Sequence, residues 1–298
     1  MENSYHHALS EMRRAVLEAD DTVLGSDKAI PLSKMDKELA SYASADGRKD
    51  GDKDDDVINN TPDQPAVSEL KPAQKEVIVG KAVAFALGYA FNDFKEANAA
   101  AGAPDLANME AIVSSDDYIM DGHHRWAAAT LLYPGAKVKV TRVDLPGEQL
   151  ITALNAMTKG RLGIDVGNKG KGDIQEFTPE KVKEAIEIAL NDGTKKGLGQ
   201  KWPVLTPEQV QEALGKIPGA EGDAEKGKSI MADNAAKLIK QKMPGAPSRK
   251  DMPVIDAEKV TAVVDYLKKG VADLKPPHGD NVKNSLKETF QRRAGIKK

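Results

Sequence analysis

The chain has 298 residues, a net charge of −3, 30% charged residues and only 4% aromatic residues. That length accommodates two domains, or one domain with long extensions, and so few aromatics imply a modest core with helical and extended segments around it. The lack of cysteine excludes disulfides, thiolate metal sites and cysteine nucleophiles, and the near-balanced charge provides no global basic field to draw the chain to nucleic acid or membrane.

Residues 1–7 lack the basic and apolar regions of a secretion signal, and no apolar run approaches the length of a bilayer span. Residues 4–24 predict an amphipathic helix, with Ala8, Met12, Ala15, Val16 and Ala19 at helical spacing. A short helix is expected over 34–44, capped by Ser33. Residues 1–45 therefore read as a helical arm. Residues 46–64 read as an acidic linker, because nothing apolar precedes Val57. The alternating aspartates fail the EF-hand spacing: counting from Asp50, position six is Asp55 and position twelve is Thr61.

Mixed α/β patterning follows over 65–160. Ala66 to Leu70 predicts a short strand, 79–94 an apolar helix and 98–104 a loop of small residues. Ala111 to Val113 and Asp117 to Met120 predict paired strands. Lys137 to Leu145 alternates with period two and predicts a half-buried strand. A helix is expected over 148–157, then a glycine- and lysine-rich loop to 172. Residues 161–298 read as helical with extended connectors. Thr178-Pro179-Glu180 and Thr206-Pro207-Glu208 each place a cap, a first-turn proline and an early carboxylate before an apolar run. Asp256 opens a similar pattern, and helices are expected over 223–242 and 280–292. The tail from Lys283 is locally basic. The fold class expected is α+β.

The most chemically suggestive stretch is Asp121-Gly122-His123-His124-Arg125-Trp126, at a strand-to-helix turn, with two of the chain's five histidines. The first N–H groups of a helix lack intrahelical partners and sit at the positive end of its dipole, so such a corner suits a phosphate. The plainer reading is a tight turn before an exposed basic first turn. His6, His7 and His278 read as surface or turn residues, and Trp126 and Trp202 as packing residues. No Walker A motif, dinucleotide fingerprint or lipase elbow occurs.

The strand, the Asp-Gly-His-His-Arg turn and the alanine-rich helix resemble the ParB/sulfiredoxin-like domain family. Upstream, Leu70-Lys71-Pro72-Ala73-Gln74, with Lys81 in the next helix, is similar to that family's opening strand and turn. The resemblance covers 65–160. It implies that Gly122, His124 and Arg125 hold a phosphate of ATP, ADP or CTP, with Lys81 and Glu76 near the same pocket. It also implies Asp121 as a Mg²⁺ ligand or general base, and one of His123 and His124 at the phosphate with the other at a reacting hydroxyl, so Asp121, His123 and His124 are the catalytic candidates. Sulfiredoxins have a cysteine where this chain has His123, which excludes sulfinic-acid reduction. Partitioning ParB proteins add a helix-turn-helix, which is not found here. Free-serine kinases of the superfamily share the Asp-Gly-His-His-Arg turn but lack these flanks.

Family domains of this kind occur among the head and structural genes of tailed phages. The expected role is therefore a structural component of a phage-type assembly, in a virion or the host cytoplasm, with other protein subunits as partners, no membrane, and no specific nucleic acid. The alternatives are a nucleotide-dependent phosphotransferase or NTP hydrolase using the 121–125 turn and, less favoured, a DNA-associated CTP switch.

Overall fold

The computed structural model describes residues 28–35, 40, 56–92, 106–167, 170–194, 204–254 and 257–270. The helices expected over 4–24 and 280–292, most of the one over 34–44, the 98–104 loop, the first part of the acidic linker, the basic tail, Trp202, Asp256 and three histidines (His6, His7 and His278) lie outside the described residues. The fold is α+β, as the patterning implied: among the described residues there are one mixed five-stranded sheet and seven α-helices.

In chain order the elements are β1 (Asn60–Asp63), β2 (Lys71–Pro72), α1 (Val79–Asn92), β3 (Leu106–Val113), β4 (Tyr118–Ile119), α2 (His123–Leu132), β5 (Val138–Val143), α3 (Gly147–Leu162), α4 (Pro179–Asp192), α5 (Pro207–Gly215), α6 (Ala224–Ala235) and α7 (Ala257–Lys268). They divide into two compact units, each built from separated stretches of chain.

The larger unit comprises residues 61–143 and 168–249. Its sheet has the order β1-β5-β3-β4-β2. β2 runs parallel to β4, with Lys71 opposite Tyr118, β3 is antiparallel to β4, and β3 is parallel to β5. α1 packs against α2, α4 and α5, and α2 packs against α6. One apolar cluster runs through Val83 and Leu87 of α1, Trp126 and Leu131 of α2, Phe177, Ile186 of α4, Leu214 of α5 and Met231 of α6. The boundary expected at residue 160 therefore does not divide this fold. α4, α5 and α6 close the same core as α1 and α2, because each presents an apolar stripe too narrow to bury itself alone.

Several local expectations are corrected. Ala66 to Leu70 is not a strand: Val67–Glu69 is a turn of 3₁₀ helix, and the strand follows at Lys71–Pro72. Val67 and Leu70, three apart, are both fully buried, and the Glu69 carboxylate accepts the Ala66 N–H at 3.1 Å. That spacing fits a helical turn better than a pleat. The acidic linker ends earlier than residue 64, since Asp56 and Ile58 are buried and Asn60–Asp63 forms an edge strand. Ser33 lies within the Leu32–Lys34 turn and does not cap it. The 223–242 helix stops at Ala235, where the chain tightens through three-residue hydrogen bonds from Lys237 to Asn234 and from Leu238 to Ala235.

The threonine caps are in place. Thr178 Oγ1 accepts the Lys181 N–H, and Thr206 with Gln209 forms a reciprocal capping box. Asp223 caps α6 through the N–H groups of Glu225 and Lys226.

The smaller unit comprises residues 1–60, 144–167 and 250–298. Its centre is α3, buried continuously from Leu150 to Thr158. Thr152 Oγ1 accepts the Ile30 N–H at 3.0 Å, and Asn155 Nδ2 donates to the carbonyls of Ile30 and Asp251 at 2.8 and 3.0 Å. α3 runs five residues beyond the expected end at 157, through Leu162, and stops at Gly163, whose φ of +66° supplies the left-handed C-terminal residue.

Candidate functional site

The site lies in the larger unit, at the amino end of α2. Gly122 occupies the N-cap with φ +92° and ψ 16°, a left-handed conformation that costs a residue with a side chain about 1–2 kcal/mol. A Cβ there would also lie 3.4 Å from the Arg125 guanidinium and 3.5 Å from Ala111 Cβ. The Trp126 N–H closes the first turn on the Gly122 carbonyl at 2.9 Å. The N–H groups of His123, His124 and Arg125 precede that bond and have no intrahelical acceptor.

The two imidazoles hold the segment between β2 and α1. His123 is buried, and its Nε2 accepts the Ala73 N–H at 3.1 Å. His124 Nε2 accepts the Ile78 N–H at 3.1 Å. A nitrogen that accepts carries no proton, so this pairing assigns the proton of each neutral ring to Nδ1. Burial pushes the His123 pKa down to about 3, helped by the nearby charges of Arg249 and His124. Burial does the same for His124, also to about 3, helped by Lys81 and Arg249. The division of labour expected of them places one imidazole at a phosphate and the other at a hydroxyl; the contacts observed give the two rings a shared structural task. Both rings are neutral acceptors that pin residues 73–78 to the helix end.

Asp121 and Arg125 form an ion pair, Oδ2 to Nη2, at 3.0 Å across one turn. Lys81 enters from α1, half-buried, its ammonium over the Phe85 ring at 5.6 Å from the centroid. Burial depresses its pKa first. The Arg249 charge depresses it further, Asp121 opposes that, and Arg125 adds a smaller depression. Arg249 comes from the connector after α6, and burial lowers its pKa against the opposing charges of Asp121 and Glu76. Its backbone N–H donates to Glu76 Oε1 at 3.2 Å. The other Glu76 oxygen, Oε2, is buried without a hydrogen-bond partner.

The residues expected at the site, Glu76, Lys81, Asp121, Gly122, His123, His124 and Arg125, are thus brought to one helix end. Arg249 was not expected there. It sits in the connector with no pattern of its own, and only its neighbour Lys250 marks the position as basic. The glycine-rich stretch also contributes. A Cβ on Gly170 would lie 2.4 Å from Glu76 Cγ and 2.7 Å from Arg249 Cβ. Asp121 as a metal ligand gains no company: among the described residues no three His, Asp or Glu gather as a cation cage. Asp116 and Asp117, the other acidic groups before the turn, are engaged elsewhere, Asp116 with Ser114 and Asp117 with Arg142.

Trp126 is buried behind the site, and its Nε1 donates to the Val67 carbonyl at 2.9 Å, which fits a packing role. At the far end of α2, Asn234 Nδ2 donates to the carbonyl of Leu131 at 3.0 Å and approaches that of Leu132 at 3.5 Å. α2 is therefore fixed at both ends. Among the described residues no helix is long and apolar enough to cross a membrane. No family model, no curated protein and no solved structure matches the chain.

Proposed function

We propose that the protein binds a phosphate-bearing small molecule, of the nucleotide class, at the amino end of α2. The supporting observation is that Lys81, Arg125 and Arg249, from three separate parts of the unit, all act on or pair with Asp121 beside the amino end of α2. Against these three cations stand two carboxylates, Asp121 and Glu76. The helix end adds roughly half a positive charge. Partly buried cations that repel one another are stabilised by an anion between them, and guanidinium groups and free N–H groups match phosphate oxygens. The ParB/sulfiredoxin-like reading rests on the motif residues alone.

Binding is favoured over phosphoryl transfer by the state of the histidines. A general base needs a free lone pair near the proton it takes, and both Nε2 atoms are bonded to backbone. Asp121 is the remaining base, once its pair with Arg125 opens. The donor set does not fit a resident magnesium ion, so any Mg²⁺ enters on the phosphates of the nucleotide itself.

The wider role we propose is that of a subunit in a phage-type assembly. Its support is compositional: few aromatics, capped charged helices and long connectors suit a chain that contacts neighbours. Calorimetry with ATP, ADP and CTP, with and without Mg²⁺, tests the site. Heat of binding that disappears in Arg125→Ala supports it, and no heat with any nucleotide overturns it. Light scattering tests the assembly role, which a monomer at every concentration contradicts.

A further inference from the structure

We infer that the Asp121 carboxylate is the resident counter-anion of the site, an inference that rests on the phosphate reading, and that it selects ligands ending in a doubly charged phosphate monoester. Its ground is the form of the Asp121–Arg125 pair. Arg125 Nη2 donates to Asp121 Oδ2 at 3.0 Å, one nitrogen to one oxygen. The guanidinium is folded back against the N-cap, since a Cβ on Gly122 would lie 3.4 Å from both Arg125 Nε and Arg125 Nη2. Such a one-point contact uses a fraction of a guanidinium's donors, whereas a phosphate group takes two N–H groups of the same fork at once. The Asp121 side chain is 27% exposed and that of Arg125 18%, so water reaches the pair, and ion pairs open to water hold weakly.

Asp121 also serves more than one cation. Its charge favours the ionised forms of Lys81, on α1, and of Arg249, in the connector after α6. Arg249 and Arg125 both repel the Lys81 ammonium. One negative charge therefore stands among three positive ones, with Glu76 acting on Arg249 from its own side. A carboxylate, a phosphate diester or any other monoanion replaces Asp121 charge for charge and gains little over it. A monoester dianion brings a second charge and further oxygens to the same cations, and so outcompetes the carboxylate. The same balance disfavours the backbone of a nucleic acid, whose diester phosphates carry one charge each.

The test is titration calorimetry of the full chain, at about pH 8, with methyl phosphate, a dianion there, and dimethyl phosphate, a monoanion of similar shape. Wild type is expected to bind methyl phosphate about tenfold more tightly than dimethyl phosphate, or more. Asp121→Asn keeps an oxygen for Arg125 and removes the charge, so its affinity for dimethyl phosphate is expected to rise about tenfold. Asp121→Glu keeps the charge and is expected to keep the discrimination. Thermal melts establish that each variant is folded. Equal affinity of wild type for the two ions, a result that needs no variant, overturns the inference and leaves the phosphate site standing. So does unchanged or weaker binding of dimethyl phosphate by folded Asp121→Asn. A methyl phosphate affinity that Mg²⁺ raises in wild type but not in Asp121→Asn makes Asp121 a metal ligand and overturns the counter-anion role as well. No binding of methyl phosphate by any of the proteins overturns both the inference and the phosphate reading.

Discussion

His124 accepts the Ile78 N–H through Nε2 at 3.1 Å, so the second imidazole of the turn ties the start of α1 to the start of α2. His123 does the same for Ala73, five residues earlier. Neither contact is local in sequence, and together they hold residues 73–78 to the amino end of α2. Replacing either ring by alanine leaves a backbone donor without its acceptor and opens a cavity. We expect His123→Ala and His124→Ala each to cost about 1–3 kcal/mol, read by chemical denaturation. His124→Gln, whose side-chain carbonyl can accept the same N–H, should lose less than His124→Ala. Equal loss in the two variants would remove the acceptor role.

The same bonds set a pH dependence. The folded pKa of each histidine is about 3, below the ordinary 6.5. The unfolded chain therefore takes up protons first as pH falls, and stability is lost from about pH 6.5 downward toward pH 3. The slope is about 1.4 kcal/mol per pH unit for each fully responding histidine. Above pH 6.5 this contribution is fully present. Denaturation at pH 7, 5.5 and 4.5 should show the loss. The double variant His123→Gln/His124→Gln should flatten it over the same range, and an unchanged slope in that variant would assign the dependence to other groups.

Gly122→Ala should be destabilising by about 1–2 kcal/mol, because the residue holds φ +92°. Its new Cβ would also press on the Arg125 guanidinium, so phosphate affinity should fall with stability. A Gly122→Ala protein with the wild-type melting temperature would contradict the left-handed N-cap.

Lys81→Met keeps an unbranched side chain near Phe85 and removes a charge that burial, Arg249 and Arg125 disfavour more than Asp121 favours it. We expect the variant to melt at or above the wild-type temperature while binding phosphate more weakly, since groups held in unfavourable surroundings for a ligand commonly oppose stability. A lower melting temperature with unchanged affinity would reverse this account of Lys81.

Asn234→Ala removes the side chain that reaches the last carbonyls of α2. A loss of about 1 kcal/mol is expected, and thermal denaturation measures it.

The helices were legible where capping chemistry is local: Thr178 and Thr206 each announce a start within four residues. The period-two run of β5 was equally plain. The Val67–Glu69 turn was not, because five residues with two apolar positions fit a strand or a helical turn until burial decides. The 121–125 turn was legible as a chemically suggestive corner, and the backbone-holding task of its histidines was not. That task depends on acceptors meeting the Ala73 and Ile78 N–H groups, which lie 50 and 46 residues away. Arg249 was illegible for a similar reason, since its backbone is held by Glu76, 173 residues away, and its Cβ packs where Gly170 has no side chain. That α4, α5 and α6 close a core begun about a hundred residues earlier was not legible either, since no local pattern reports so distant a contact.

The most direct test of the central claim is calorimetric titration of the full chain with ATP and with inorganic phosphate at two salt concentrations. Wild type, Arg125→Ala, Lys81→Met and the remote control Lys181→Met should be compared. The account predicts salt-sensitive binding in wild type and control, reduced about tenfold or more in the two site variants. Binding that is absent in the wild type, or equal in all four proteins, would contradict it.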